Sequence, residues 1–278
     1  MSQTAMMVLI FILAVMSYKV HASLQVTSQY SLMQYTRIIS EEHFSPGRPL
    51  VIVLPIAVKE STSEEVGYLI KVLHISGRWP ILVYNVGNNI NGNMYTDINK
   101  HEAYIIPILG PCEDWTEYIS RFQQQVYELS ADNNTWHSWN PRAKFIVAVM
   151  SNCEQKENTE ISRDILSELW LNEVMEAAVL FLVSNEQEIS DLERNTNDSV
   201  YGTYLEMHSW FPYENSERCH PTEGTVSVKV FKARNFNEIK KIDIFQKDNK
   251  KNFHKCPITV HAYTEPPFVN WPKTVWNK

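Results

Sequence analysis

Cys219-His220 and His254-x-Cys256 combine thiol and imidazole, the two side chains zinc prefers. Neighbours in a chain rarely both face one ion, however, and an exported chain oxidises its thiols. The four cysteines, Cys112, Cys153, Cys219 and Cys256, therefore read as two disulfides, for which three pairings exist. A Cys219–Cys256 bridge would clamp the stretch between them, stabilising the fold by about 3–4 kcal/mol through the restricted unfolded chain. Cys112 and Cys153 each follow a strand-like run, and consecutive strands of a right-handed βαβ unit commonly lie side by side. The expected second bridge is Cys112–Cys153. Two sequons, Asn133-Asn134-Thr135 and Asn197-Asp198-Ser199, make Asn133 and Asn197 candidate glycosylation sites in the same compartment.

Catalytic and cofactor patterns are missing. No G-x-S-x-G elbow and no H-E-x-x-H spacing occurs, so neither a serine nucleophile nor a metalloprotease site has support. His208 falls in a strand-like stretch and reads as a surface or packing residue. Glu64-Glu65 sits in the first turn of an expected helix, where the helix dipole favours negative charge. Neither G-x-G-x-x-G nor G-x-x-x-x-G-K-[ST] occurs, so no nucleotide site is expected. A formal net charge of −7 argues against a nucleic-acid partner. The expectation is a chain with no cofactor, no metal and no enzymatic activity; an unrecognised hydrolase is the weakest of the alternatives.

Export itself is read from the N-terminus. Met6 to Met16 is an apolar run of eleven residues, too short to cross a bilayer core of about 30 Å. Val20-His21-Ala22 then sets small or apolar residues at −3 and −1 of a cut before Ser23. This is the pattern of a signal peptide over residues 1–22, the alternative being a buried N-terminal helix. No later segment approaches eighteen apolar residues.

The elements alternate. Apolar runs at Pro49–Pro55, Trp79–Val86, Ala103–Gly110, Lys144–Ser151 and Ala177–Ser184 read as buried strands. Between them, helical periodicity runs from Ser61 to Gly77, from Trp115 to Leu129 and from Ile161 to Ala177. Continuous apolar strands separated by amphipathic helices predict an α/β fold over residues 23–184, an open, mostly parallel sheet with helices on both faces. Beyond Ser184 the pattern changes to period two in "YGTYLEMHSWFPY" and "TVSVKVFKA", a β-rich continuation whose strands pair with each other or with the sheet edge. Lys229 to Lys255 carries nine Lys/Arg against Glu238, Asp243 and Asp248. It reads as a solvated basic connector, and residues 185–255 form the second unit.

The end of the chain carries a resemblance. Phe253-His254, Cys256-Pro257, Val260, Glu265 and Pro266-Pro267-Phe268-Val269, preceded by Trp210-Phe211-Pro212-Tyr213 and by Asn140 to Val149, resemble the insect ionotropic receptors, divergent relatives of the ionotropic glutamate receptors. The likeness spans roughly Asn140 to Val269, and Cys-Pro at this distance from a Pro-Pro-aromatic turn is its most specific part. Lys255 departs from the family's glycine before the cysteine. The resemblance implies a periplasmic-binding-protein-like lobe, followed over residues 256–278 by the first strand and turn of a ligand-binding domain. It implies ligand contact by Phe268, whose ring lacks a tyrosine's hydroxyl and suits a less polar ligand edge, with Glu265 opening the turn. It also implies partners, namely other receptor subunits and, with the rest of the ligand-binding domain, a small chemical ligand. The family's clamping arginine, membrane helices and pore loop fall after this point, so the chain to Lys278 is expected not to conduct ions alone. The same likeness implies display on the outer face of the plasma membrane, or secretion if the chain ends there. A secreted small-molecule-binding α/β protein is the alternative from another class.

Overall fold

The structure, a computed structural model, describes residues 31–54, 60–85, 101–109, 115–130, 139–150, 157–185, 202–210, 226–232, 239–241 and 244–245. Its strands are β1 (Leu50–Leu54), β2 (Ile81–Asn85), β3 (Ala103–Ile108), β4 (Lys144–Val149), β5 (Glu176–Asn185), β6 (Gly202–Trp210) and β7 (Val226–Lys232). They form one sheet in the order β2-β1-β3-β4-β5-β6-β7. β2 through β5 are parallel, whereas β6 and β7 run antiparallel to their neighbours. The expected α/β class is the observed one. Every residue of β1 and β3 is buried, as strands covered on both faces require.

The helices are α1 (31–43), α2 (Glu60–Ile75), α3 (Trp115–Ser130) and α4 (Asn158–Leu171). From β1 the chain steps to β2 on one side, and from β3 to β4 and β5 on the other. Right-handed crossovers then force α2 onto one face and α3 and α4 onto the opposite one. The core obeys this. Val66, Leu69, Val72 and Leu73 of α2 pack with Leu50 and Ile52, while Phe122, Val126, Ile165 and Leu169 pack with Val51, Val53, Tyr104 and Phe145.

Helix α1 has no counterpart in the sequence reading. Its periodicity is blurred because it is buried around most of its circumference, including Thr36 and Ser40. Those two hydroxyls are satisfied locally, donating to the carbonyls of Leu32 at 2.9 Å and Thr36 at 2.7 Å. Helix α4 also differs, ending at Leu171 rather than running to Ala177. Glu173 takes a left-handed conformation at φ 65°. Its N–H donates to Trp170 O at 2.9 Å and the Val174 N–H to Leu169 O at 3.0 Å, the paired bonds of a Schellman end. At the end of α2, by contrast, the left-handed residue is the expected Gly77, at φ 60°.

β6 and β7 extend the parallel sheet without a break, so the β-rich continuation is the antiparallel flank of the same sheet. The connector reading needs correction at three positions. Ile239, Ile244 and Phe245 are 1–4% exposed and belong to the core on the α1–α2 face. Phe245 lies against Phe44 at 6.5 Å between ring centroids, and Lys144 sits 5.5 Å from its ring. Lys240 and Lys241 face solvent. Apolar residues spaced among lysines were masked by the charge count.

Candidate functional site

Open parallel sheets bind ligands outside the carboxyl ends of the strands, where the strand order reverses. Here the reversal lies between β1 and β3. Their ladder runs through Leu50↔Ala103 and Val51↔Tyr104 and ends at Ile52↔Ile105. β1 stays paired with β2 as far as Leu54↔Asn85, and β3 with β4 as far as Ile108↔Val149. The two central strands therefore lose their pairing at Val53 and Ile106, while each keeps its outer neighbour.

Pro107 supplies the reason. The Met150 N–H donates to Ile108 O at 2.9 Å, so the backbone of Ile108 faces β4. Alternation along the strand then turns the backbone of Pro107 toward β1, and proline has no N–H to give. A proline in a central strand is tolerated only where no ladder bond is needed from it. Val53, Leu54, Ile106, Pro107 and Ile108, at this end of the two strands, are apolar and buried. Tyr118 of α3 fixes the end of β3 by donating its hydroxyl to Leu109 O at 2.6 Å. The described end of these strands is therefore apolar, and its two central strands are not laddered to each other beyond Ile52 and Ile105.

A polar cluster lies on the same sheet at β6, three strands from β3, on the α3–α4 face. Asn158, at the start of α4, donates to Glu206 Oε2 on β6 at 2.8 Å. His208 Nε2 lies 3.4 Å from the same oxygen, and Phe181 meets the imidazole edge-on at 5.0 Å. His208 is fully buried, and its Nδ1 finds no partner among the described residues. The hydrogen bond from His208, aided by Asn158, holds the Glu206 carboxyl below its ordinary pKa although partial burial opposes this. The sequence expectation that His208 is a surface or packing residue resolves to packing.

The opposite edge is a structural lock. His101 Nδ1 lies 3.1 Å from the Tyr104 hydroxyl, the Asn140 N–H donates to that hydroxyl at 3.2 Å, and Asn140 Nδ2 donates to His101 O at 2.8 Å. Tyr104 stacks on Phe145 at 4.5 Å, and burial pushes its phenol pKa well up. A phenol so placed keeps its proton and positions chain rather than doing acid–base work.

The residues singled out from sequence, Cys112, Cys153, Cys219, Cys256, Asn133, Asn197, Glu265 and Phe268, all lie outside the described residues. Among the described residues, no group of three His, Cys, Asp or Glu is placed to hold a metal ion, and no helix is long and apolar enough to cross a membrane. The switch between β1 and β3 was not among the predicted site residues, though a proline inside the apolar run "AYIIPILG" was the signal for it. A scan against protein-family models matches no family, and a search of curated proteins returns no relative.

Proposed function

We propose that the chain is the extracellular amino-terminal portion of a chemosensory ionotropic receptor, a ligand-gated cation channel, and that this portion does not conduct ions by itself. The observation that carries the reading is the order of parts. A mostly parallel α/β sheet covered by helices on both faces precedes the Cys256–Val269 segment with its Glu265-Pro-Pro-Phe268 turn. In this reading the sheet serves assembly with other subunits and delivery to the cell surface, and Phe268 forms one wall of a ligand pocket that the remaining lobe completes. The portion has no catalytic role. Sequencing the transcript beyond the codon for Lys278 tests it. A second lobe bearing an arginine, followed by three apolar spans, is the expected result; a stop codon there removes the channel reading for this product.

A secreted small-molecule-binding protein is the second reading, favoured by the early end of the β1–β3 ladder at the strand-order reversal. Purified protein screened by thermal shift against small, largely apolar compounds tests it. A rise in melting temperature that grows with compound concentration and saturates supports this reading, and the absence of any such shift counts against it.

A further inference from the structure

The seven-stranded sheet ends at β2 on one side and at β7 on the other, and the two edges differ. β7 carries Lys229 and Lys232, charges of the kind that keep an edge strand from pairing with another chain. β2 is Ile-Leu-Val-Tyr-Asn, with no charge and no proline. The Leu50 N–H donates to Pro80 O at 2.9 Å, so alternation turns the backbones of Leu82 and Tyr84 toward β1 and those of Ile81, Val83 and Asn85 outward. The outward N–H and C=O groups have no partner among the described residues. Val83, at the middle of the strand, is 42% exposed.

The symmetry of this edge selects its occupant. A second copy running antiparallel about a twofold axis through Val83 sets Val83 opposite its own counterpart, Ile81 opposite Asn85 and Leu82 opposite Tyr84. Ile81, Val83 and Asn85 then form the pairs that exchange both N–H···O bonds, and every outward backbone group of the two strands is satisfied. Leu82 and Tyr84 match aliphatic with aromatic twice, and no charge meets a charge. Pairing β2 with β7 of another molecule would instead grow an open chain of copies, which the β7 lysines oppose.

The helices fit the same arrangement. α2 is the crossover from β1 to β2 and covers the end of the sheet. Strands lie about 4.8 Å apart, so a helix midway over β1 and β2 would stand about 10 Å from its symmetry copy, a distance at which helices pack. α1 lies inward of α2, since Lys144 of β4 donates to His43 O at the end of α1. Tyr68, accepting from Gln34 Nε2 of α1 at 2.6 Å, therefore marks the inner flank of α2. Helical spacing puts Gly67, Ile70 and His74 on the outer flank, where a Cβ on Gly67 would meet nothing within 4 Å. We propose that β2 pairs with β2 of a second copy about a twofold axis at Val83, joining two sheets into one and laying α2 beside its counterpart. The inference holds for a receptor portion and for a secreted binder alike.

Sedimentation equilibrium of the purified chain tests the pairing, with Val83→Lys and Val83→Cys as variants. The expected result is a monomer–dimer equilibrium that Val83→Lys weakens about ten-fold or more by setting two ammonium groups face to face. The variant's melting curve as a monomer should be kept, because Val83 is already exposed. Val83→Cys should form a disulfide-linked dimer on a non-reducing gel, since bonded antiparallel partners lie about 5.5 Å apart at Cα. Tyr127→Cys, exposed on α3, should not. A chain that stays monomeric at every concentration overturns the proposal, and a slowly exchanging Val83 amide in that monomer would give the edge to another segment of the same chain. A dimer that Val83→Lys leaves intact and Val83→Cys fails to link overturns it as well.

Discussion

The hydrogen bond from the buried His208 imidazole, with one from Asn158, holds the Glu206 carboxyl below its ordinary pKa. A depressed carboxylate pKa means the unfolded chain binds the proton more readily than the folded one. The stabilisation is therefore complete above the unfolded pKa of about 4.3 and is lost as pH falls through the folded value. Glu206→Gln should lower stability by about 1–2 kcal/mol at neutral pH, and the difference from the native protein should close on acidification. Urea denaturation at a series of pH values reads this directly, and a difference independent of pH would refute it. Tyr104→Phe keeps the stack on Phe145 but strips the hydroxyl shared by His101 and Asn140. It should cost about 1–3 kcal/mol, with the near-ultraviolet spectrum otherwise retained.

Among the elements, α4 ends by a Schellman turn whose left-handed position holds Glu173 where glycine is favoured. A non-glycine residue there costs about 1–2 kcal/mol. Glu173→Gly should accordingly raise the unfolding free energy by about 1 kcal/mol, measured by thermal or urea melts; a loss of stability would contradict the assignment. The helix itself is held to α3 by a row of polar contacts. Trp115 Nε1 donates to Asp164 at 2.7 Å, Gln123 to Glu168 at 3.0 Å and Ser130 to Asn172 at 2.9 Å. The segment after β7 is equally part of the fold. Phe245→Ala should cost about 3–4 kcal/mol, whereas a solvated connector would leave the melt unchanged.

For the whole molecule, the four cysteines give the test of the expected oxidised state. The sequence expectation is a pair of bridges, Cys112–Cys153 and Cys219–Cys256. A peptide map made without reductant should contain both, and either crossed pairing would refute the expectation. Reduction should remove about 4 kcal/mol for each bridge.

The sequence by itself determined the strands and the class of the fold. "LVIVL" is apolar at every position and "KFIVAV" at every position after Lys144, and only burial on both faces satisfies such a pattern. It also set the helices α2 and α3 to within a residue or two, because one apolar stripe faces the core and Gly77 terminates α2. Pairing was decided in three dimensions, since which strand lies beside which depends on crossover handedness and not on local composition. The burial of α1 and the return of Ile239 and Phe245 to the core share one physical cause: each depends on contacts between residues distant in the chain, about which local periodicity and a net basic charge carry no information. The early end of α4 is closed by local bonds, but with Glu173 and not glycine at the left-handed position the sequence carried no signal for it. The reversal of strand order between β1 and β3 belongs to that second group. Pro107 marked the place in the sequence, and the tertiary structure turned the missing donor toward the strand that leaves it.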